Sequence, residues 1–293
     1  MVAMMIHCLS QESTALAPVR RTSVRELIER QAIVTVLEPI VDTTTYSFHG
    51  HEALGRGALA GLPSGPVALF ELAEEEGLAV QLSELMRERA MRVVGESFAP
   101  RLFLSSHPAE YANLPRLVAS LARLRERFPD LLPVLQIPEK ANATPQQLRW
   151  LRDELSYLAV EVSYQGLGPG LSRLGALVEV PPDYVKMDEK LIVRAVPSNG
   201  EVLLAGIVDI ARKLGVRVVA EGLALLDEVV SCRRLGFELC QGPAPLFFPT
   251  AERLLPGFSR VEASEPSVRV LGTANAEALH AAARRLGAAA SAA

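Results

Sequence analysis

The stretch FHGHEALGR, residues 48–56, decides the fold of this chain. It combines a short predicted strand, His51–Leu54, with a carboxylate at Glu52 and a guanidinium at Arg56. Three later segments also set polar residues at the ends of apolar runs, and they are YVKMD at 184–188, VAEG at 219–222 and QG at 241–242. The same association of strand end and polar residue therefore recurs through the chain.

Short apolar runs alternate with helical stretches. The predicted strands are Ile33–Leu37 (ending at Glu38-Pro39), His51–Leu54, Leu102–Leu104, Val134–Ile137, Leu158–Val162, Tyr184–Met187, Val216–Ala220 and Phe237–Cys240. The predicted helices include one opened by a Ser23–Glu26 capping box and running to Arg30, then Gln146–Leu155 after Thr144-Pro145, Glu201–Leu214 before Gly215, and Leu225–Leu235 before Gly236. This alternation predicts a parallel sheet of the α/β class, closed into a TIM-type (β/α)8 barrel.

Polar residues stand at or near the carboxyl end of seven predicted strands. They are Glu52, Ser105, Gln136, Ser163, Lys186, Glu221 and Gln241. Active sites of α/β barrels collect at that face. We therefore expect these side chains to meet at one mouth of the barrel.

Composition sets the broad class. The 293 residues are 49% apolar, enough for a large core, and the net charge of −4 comes with no basic block, so nucleic acid is not an expected partner. Three cysteines without disulfide or metal spacing indicate the reducing cytoplasm. No apolar run approaches the roughly 18 residues that span a bilayer, and no signal peptide or membrane association is expected.

The barrel is expected to have an extension at each end. We predict a flexible N-terminal extension over residues 1–22, a barrel domain over 23–258, and an Ala-rich, partly helical C-terminal extension over 259–293. Within the last of these, Ser267–Leu271 is a candidate strand and Ala276–Leu286 a candidate helix capped by Asn275.

Residues 23–255, with the motifs quoted above, resemble the EAL family, whose members hydrolyse the bacterial second messenger cyclic di-GMP with two divalent metals. The resemblance implies that Glu52 matches a metal ligand, that Arg56 contacts the dinucleotide and that Leu54 flanks it. The remaining matches to the family site are Lys186, Asp188, Glu221 and Gln241.

Several positions depart from the family pattern. Where the resemblance calls for a metal-binding Asn, a Glu and an Asp-Asp pair, this chain has Ser105, Gln136 and Ser163-Tyr164. A neutral amide has little affinity for a hard cation. Of the family's carboxylate ligands this chain keeps Glu52 and Glu221, which with Lys186 leave a net charge of only about −1 to balance two divalent ions. We therefore expect no metal cofactor and no useful phosphodiesterase activity, and Tyr164 raises the alternative that it fills the pocket.

Other side chains could be considered as replacement ligands. His107 in a loop, Glu161 two residues before Ser163, and the His49-x-His51 pair are candidates by residue type. Strand alternation places both histidines of that pair on the face opposite Glu52, so a metal site there is not expected. Glu38 stands where the family has Gln, and its charge disfavours an anionic ligand.

Three functions follow from these observations. The favoured one is a catalytically inactive EAL-like domain that serves as a cyclic di-GMP receptor or regulator, working with a regulatory protein partner. The alternatives are a protein-interaction platform that no longer binds nucleotide, and a weak metal-dependent phosphodiesterase. A homodimer is compatible with the resemblance.

Overall fold

A computed structural model describes residues 22–95, 101–167, 174–188, 190–192 and 200–242, together with the backbone of 268–270. The strands are β1 Ile33–Asp42, β2 Phe48–Gly57, β3 Arg101–Ser105, β4 Leu132–Ile137, β5 Glu161–Leu167, β6 Tyr184–Met187, β7 Arg217–Ala220, β8 Leu239–Gln241 and β9 Val268–Val270. The helices are α1 Val24–Glu29, α2 Pro66–Glu75, α3 Ala79–Gly95, α4 Leu114–Arg127, α5 Pro145–Tyr157, α6 Leu174–Glu179, α7 Gly200–Lys213 and α8 Leu226–Arg234, with a 3-10 turn at Pro108–Ala112.

Strands β1 to β8 close into a barrel. Each of β2 to β7 pairs in parallel with the next strand along the chain, and β1 lies between β8 and β2. The predicted barrel is confirmed, but the expectation of a wholly parallel sheet is wrong, because β1 runs antiparallel to both neighbours. A parallel crossover needs a dozen or more residues, whereas only residues 43–47 join β1 to β2.

The turn between β1 and β2 is held by Asp42, whose Oδ1 accepts the backbone N–H groups of Thr44 and Thr45 at 2.8 Å each. Strand β1 is also longer than predicted and continues through Pro39. On the edge away from β2, β1 pairs with β9 over Thr35–Leu37 and with β8 over Ile40–Asp42. Pro39 falls between these two stretches, a position that tolerates a residue without an N–H donor.

The barrel interior is apolar in its lower half. Six buried side chains form this inner layer, namely Ile40, Phe103, Val134, Tyr184, Val219 and Leu239. A larger core lies between the strands and the surrounding helices. Because side chains alternate along a strand, the next inward residues towards the carboxyl ends are polar, which brings Glu52, Gln136, Lys186 and Gln241 to the mouth.

The predicted helix signals are present where the structure describes them. Ser23 accepts a hydrogen bond from Glu26 N at the start of α1, and Thr144 and Gln147 form a capping box that starts α5 at Pro145. Gly215 and Gly236 follow α7 and α8 with φ of +72° and +91°. The candidate strand near the C-terminus exists as β9, while residues 1–21 of the predicted extension at 1–22 and the helix at 276–286 lie outside the described residues.

Candidate functional site

Glu52 is the centre of a hydrogen-bonded network inside the barrel mouth. The residue is 5% exposed, and its carboxylate accepts from Gln136 Nε2 at 2.7 Å, Lys186 Nζ at 2.9 Å and Gln241 Nε2 at 2.5 Å. These four residues come from β2, β4, β6 and β8. The structure thus brings together side chains that are up to 189 residues apart in the chain.

The ammonium group of Lys186 contacts two carboxylates. Its Nζ also lies 2.6 Å from Glu221 Oε1, just beyond β7. Burial by itself would lower the pKa of Lys186, but Glu221 and Glu52 outweigh it and the pKa is raised. The ammonium is therefore charged at every physiological pH.

The two carboxylates have opposite pKa shifts. Burial would raise the pKa of Glu52, but the charge of Lys186 and the hydrogen bonds from Gln241, Lys186 and Gln136 bring it below its usual value. Burial and repulsion from Glu52 raise the pKa of Glu221 against the opposing effect of Lys186. We take Glu52 as the ionised partner, since its side chain is 7% exposed and accepts three donors, whereas that of Glu221 is 26% exposed.

Gln241 connects Glu52 to Glu38. Its Nε2 donates to Glu38 Oε2 at 3.0 Å as well as to Glu52, so both amide hydrogens are used. Burial, together with repulsion from Glu52, raises the pKa of Glu38. Within the described residues, the buried Oε1 of Gln241 has no hydrogen-bond partner.

The positions without the family's metal ligands have different environments. Gln136 is fully buried, and its Oε1 accepts from Gln165 Nε2 at 3.2 Å. Ser105 is exposed at the end of β3, with its Oγ 3.5 Å from Gln136 Nε2. Ser163 is fully buried, and its Oγ has no partner among the described residues.

Tyr164 does not fill the mouth. Its hydroxyl donates to Val180 O at 2.8 Å, and its ring belongs to the core between the strands and the helices. The alternative that this residue blocks the pocket is therefore wrong. Alternation along β5 sends Tyr164 outward and the smaller Ser163 inward.

Leu54 and Arg56 follow Glu52 on the same face of β2, nearer the mouth, and both are half-buried. In the described part of the chain, the side chain of Arg56 makes no hydrogen bond and no ion pair, while its backbone pairs with Val34 of β1. Asp188, after β6, caps the next backbone turn by accepting from Lys190 N at 2.7 Å. The guanidinium of Arg56 is thus available to a ligand. Asp188 stabilises a local turn and also contributes to the raised pKa of Glu221, and its contact with a ligand stays a prediction.

His107 is held away from a ligand role. Its Nδ1 accepts from Ala109 N at 3.2 Å, and its Nε2 lies 3.3 Å from Glu74. Its ring stacks on Phe70 with centroids 4.7 Å apart, and burial lowers its pKa. The imidazole caps the 3-10 turn after β3.

A buried ion pair holds the loop after β3 in place, and the sequence did not predict it. Arg87 on α3 lies 2.5 Å from Glu110, and both side chains are 1% exposed. Glu110 also accepts from His107 N at 2.7 Å, while Arg87 Nη1 donates to Ser105 O at 3.4 Å. The available signal was an arginine on the buried stripe of α3, three residues before Ala90.

At the opposite end of the barrel, β2 contains a bulge at His49. Neighbouring residues of β1 pair with Gly50 and Phe48, which leaves His49 as the extra residue. The bulge turns His49 towards Tyr184, with its Nε2 3.2 Å from the hydroxyl. Its expected placement on the face opposite Glu52 is therefore wrong, because strict alternation fails at the bulge.

His51 and Glu161 do not reach the mouth. His51 faces outward against Phe48, with ring centroids 4.5 Å apart, and burial lowers its pKa to about 4. Glu161 lies at the barrel floor, 3.0 Å from Arg101 Nε and 3.2 Å from the hydroxyl of Tyr184. Neither residue supplies a replacement for the ligands absent at the mouth.

Comparison with known proteins identifies the family. The profile of the EAL domain matches residues 21–245. The probable cyclic di-GMP phosphodiesterase PdeG of Escherichia coli is 27% identical over 223 residues, which are 70% of this chain and 42% of PdeG. The bifunctional diguanylate cyclase/cyclic di-GMP phosphodiesterase MucR of Pseudomonas aeruginosa is 28% identical over 234 residues, or 74% of this chain and 33% of MucR. The chain therefore spans less than half the length of these relatives.

Solved structures agree with this fold. The PaMucR phosphodiesterase in complex with c-di-GMP has a TM-score of 0.67 and 25% identity, covering 75% of this chain and 92% of that one. The FimX EAL domain of Xanthomonas citri, in complex with c-diGMP, has a TM-score of 0.65 at 19% identity, covering 75% and 88%. Among the described residues, every helix is too short or too polar to cross a bilayer.

Proposed function

We propose that this chain, which belongs to the EAL domain family, acts in cyclic di-GMP signalling as a receptor or regulator that binds the nucleotide without hydrolysing it. The observation that carries the proposal is the engagement of the Glu52 carboxylate by three N–H donors, one on Oε1 and two on Oε2. A carboxylate that binds a cation cannot also direct the same lone pairs at N–H groups.

The donor set does not fit a pair of divalent cations. Hard cations prefer several anionic oxygens, and a two-metal site needs them on both ions. Gln136 directs its amide nitrogen towards Glu52, and the oxygen of the same amide is engaged by Gln165. Reversing that amide would set two oxygens against each other, so the orientation is fixed by electrostatics.

The side-chain amides of Gln136 and Gln241 and the ammonium of Lys186 contact the Glu52 carboxylate where a metal cation would otherwise do so. Lys186 supplies one positive charge to Glu52 and Glu221, and Gln136 and Gln241 supply neutral donors. The mouth keeps Glu52 and Glu221 among the family's ligand positions, and both carboxylates contact Lys186. We infer that this donor set does not hold the two divalent cations that would activate a water for hydrolysis.

Features of the mouth support nucleotide binding. Arg56 is half-buried and unpaired in the described part of the chain, and a guanidinium suits a phosphodiester. Leu54 offers an apolar contact beside it. The unpartnered Oε1 of Gln241 and Oγ of Ser163 are buried polar atoms that need a partner, which water or a ligand can provide.

Calorimetric titration with cyclic di-GMP tests the proposal. It is run in chelator and again with Mg²⁺ or Mn²⁺, and the mixtures are then assayed for the linear dinucleotide. We expect binding of equal affinity in both conditions and no product. Absence of binding in both conditions would overturn the proposal and leave the protein-platform alternative, and metal-dependent product would establish the phosphodiesterase.

A further inference from the structure

Helix α5 presents two aromatic side chains to solvent. Trp150 is 38% exposed and Tyr157 is 87% exposed, whereas every Tyr and Phe side chain elsewhere in the described residues is buried or half-buried. Seven residues are about two helical turns, so both rings lie on the same side of α5, about 10 Å apart along its axis. Aromatic side chains are enriched where proteins meet other proteins, so this side of α5 is a candidate docking surface.

Two carboxylates stand between the aromatic residues. Asp153 and Glu154 follow Trp150 by three and four residues, which places them on the same side of the helix. Within the described part of the chain, neither carboxylate makes an ion pair or a side-chain hydrogen bond. We call these four residues, Trp150, Asp153, Glu154 and Tyr157, the α5 ridge.

The basic residues of α5 do not neutralise the ridge. Arg149 lies 3.9 Å from Glu179 at the end of α6, and Arg152 lies 3.3 Å from Asp183 just before β6. Both guanidinium groups therefore pair with carboxylates outside the helix. The ridge keeps two negative charges beside its two aromatic rings.

The two carboxylates are unfavourably placed for the helix itself. The carbonyl end of a helix has a partial negative charge, which favours basic residues in the last turn and disfavours acidic ones. Glu154 lies in the last turn of α5 and Asp153 comes just before it, while that turn has no basic residue. Helix stability therefore does not account for these carboxylates, and an external partner of positive charge would.

The chemistry of the ridge fits arginine. A guanidinium group stacks on the face of Trp or Tyr and at the same time donates two hydrogen bonds to a carboxylate, which a lysine ammonium does less well. The negative charge of the ridge repels the phosphates of nucleic acid and of anionic lipids, and it also repels a second copy of the ridge. Charge complementarity thus favours a basic segment of another protein.

We propose that the α5 ridge is the docking site for an arginine-bearing segment of a partner protein, whose guanidinium groups lie on Trp150 and Tyr157 and pair with Asp153 and Glu154. The inference does not depend on nucleotide binding at the barrel mouth. The ridge covers only part of the roughly 800 Å² that each partner contributes to a stable complex, so a single peptide should bind with a dissociation constant on the order of 100 μM.

Tryptophan fluorescence tests the proposal directly, because Trp150 is the only tryptophan of the chain. The probe is an Ala-rich helical peptide of about 15 residues with arginine at every fourth position, titrated into the full chain. We expect a saturable change in the emission of Trp150. The same peptide with lysine in place of arginine should bind at least about threefold more weakly, and the peptide with glutamate should not bind.

Variants of the ridge separate it from the charge of the whole chain. Tyr157→Ala should weaken binding of the arginine peptide by about tenfold. Asp153→Lys combined with Glu154→Lys should abolish that binding and allow the glutamate peptide to bind. The matched control reverses two exposed carboxylates on α2, Glu71→Lys with Glu75→Lys, and should bind the arginine peptide as the wild type does.

Two results would overturn the proposal. One is a Trp150 emission that the arginine peptide leaves unchanged. The other is an equal loss of binding in the two charge-reversed variants, which would show that the peptide follows the net charge of the chain and not the ridge.

Discussion

The side-chain amide of Gln136 reaches past strand β3 to donate a 2.7 Å hydrogen bond to Glu52 on β2. A glutamate of the same length would meet Glu52 oxygen to oxygen. The difference of one atom type between Gln and Glu thus decides whether this part of the mouth needs a cation.

Gln136→Glu should make the fold depend on metal. It buries a second carboxylate against Glu52, and an uncompensated buried charge costs about 3 kcal/mol. We expect a lower midpoint of thermal unfolding at neutral pH, and partial recovery on addition of Mn²⁺. Scanning calorimetry with and without Mn²⁺ measures both effects.

The exposed Gln146→Glu, in the first turn of α5, is the matched control; it should raise the midpoint slightly, as acidic residues do at a helix N-terminus, and equally with or without metal. An equal rise of the wild-type midpoint in Mn²⁺ would contradict the view that the native network excludes cations.

Lys186→Met should be strongly destabilising, because it removes the cation between Glu52 and Glu221. Breaking a buried ion pair on one side costs about 3–5 kcal/mol. In the wild type, the lowered pKa of Glu52 gives stability that is present above the unfolded pKa of about 4.3 and is lost as pH falls through the folded value. Without Lys186, burial raises the pKa of Glu52. The ionised carboxylate then lowers the stability of the fold above the unfolded pKa, where in the wild type it raises it.

The destabilisation by Lys186→Met should therefore be largest at neutral pH and shrink as pH falls towards about 4.3. Urea unfolding at several pH values measures it. A deficit independent of pH would show that lost packing, and not charge, is responsible.

Glu38→Gln should improve ligand binding. The neutral side chain keeps an acceptor for Gln241 and removes a negative charge from the mouth, which should tighten cyclic di-GMP binding roughly three- to tenfold. Calorimetry at low and high salt measures the gain, which salt should reduce. A weaker complex would indicate that the carboxylate itself contacts the nucleotide.

The same substitution has a consequence for stability. Since the folded pKa of Glu38 is raised, the wild type is penalised above that pKa and the penalty disappears as pH falls below about 4.3. The variant should be more stable than the wild type at neutral pH and equal to it in acid.

Arg56→Ala should separate binding from folding. We expect cyclic di-GMP affinity to fall at least tenfold, because a charge-assisted hydrogen bond contributes about 1.5–3 kcal/mol. Stability should change by less than about 0.5 kcal/mol, since Arg56 makes no ion pair in the described part of the chain. Arg25→Ala, on the exposed side of α1, is the control and should alter neither quantity.

Much of the barrel could be predicted from the sequence, because apolar runs, capping residues and glycines signal strands and helix ends locally. The residues that meet around Glu52 could also be predicted, since the carboxyl ends of barrel strands converge. The direction of β1 depended on a turn that Asp42 stabilises, and the position of His49 depended on a bulge. Such features shift alternation by one residue without altering composition.

The Arg87–Glu110 pair could not be predicted from the sequence, for a different reason. Its partners come from a helix and a turn that only tertiary packing brings together. The orientation of Gln136 likewise depends on which atoms surround it. Residue type predicted that a metal ligand was absent, whereas the donor that satisfies Glu52 could be identified only in three dimensions.

Strand β9 has a consequence for any shortened form of this chain. It pairs in parallel with Thr35–Leu37 of β1, on the edge that the three-residue β8 leaves uncovered. A chain cut before β9 would expose that row of backbone donors and acceptors, which is a template for pairing between molecules. We therefore expect a chain cut before β9 to aggregate more readily than one that keeps it.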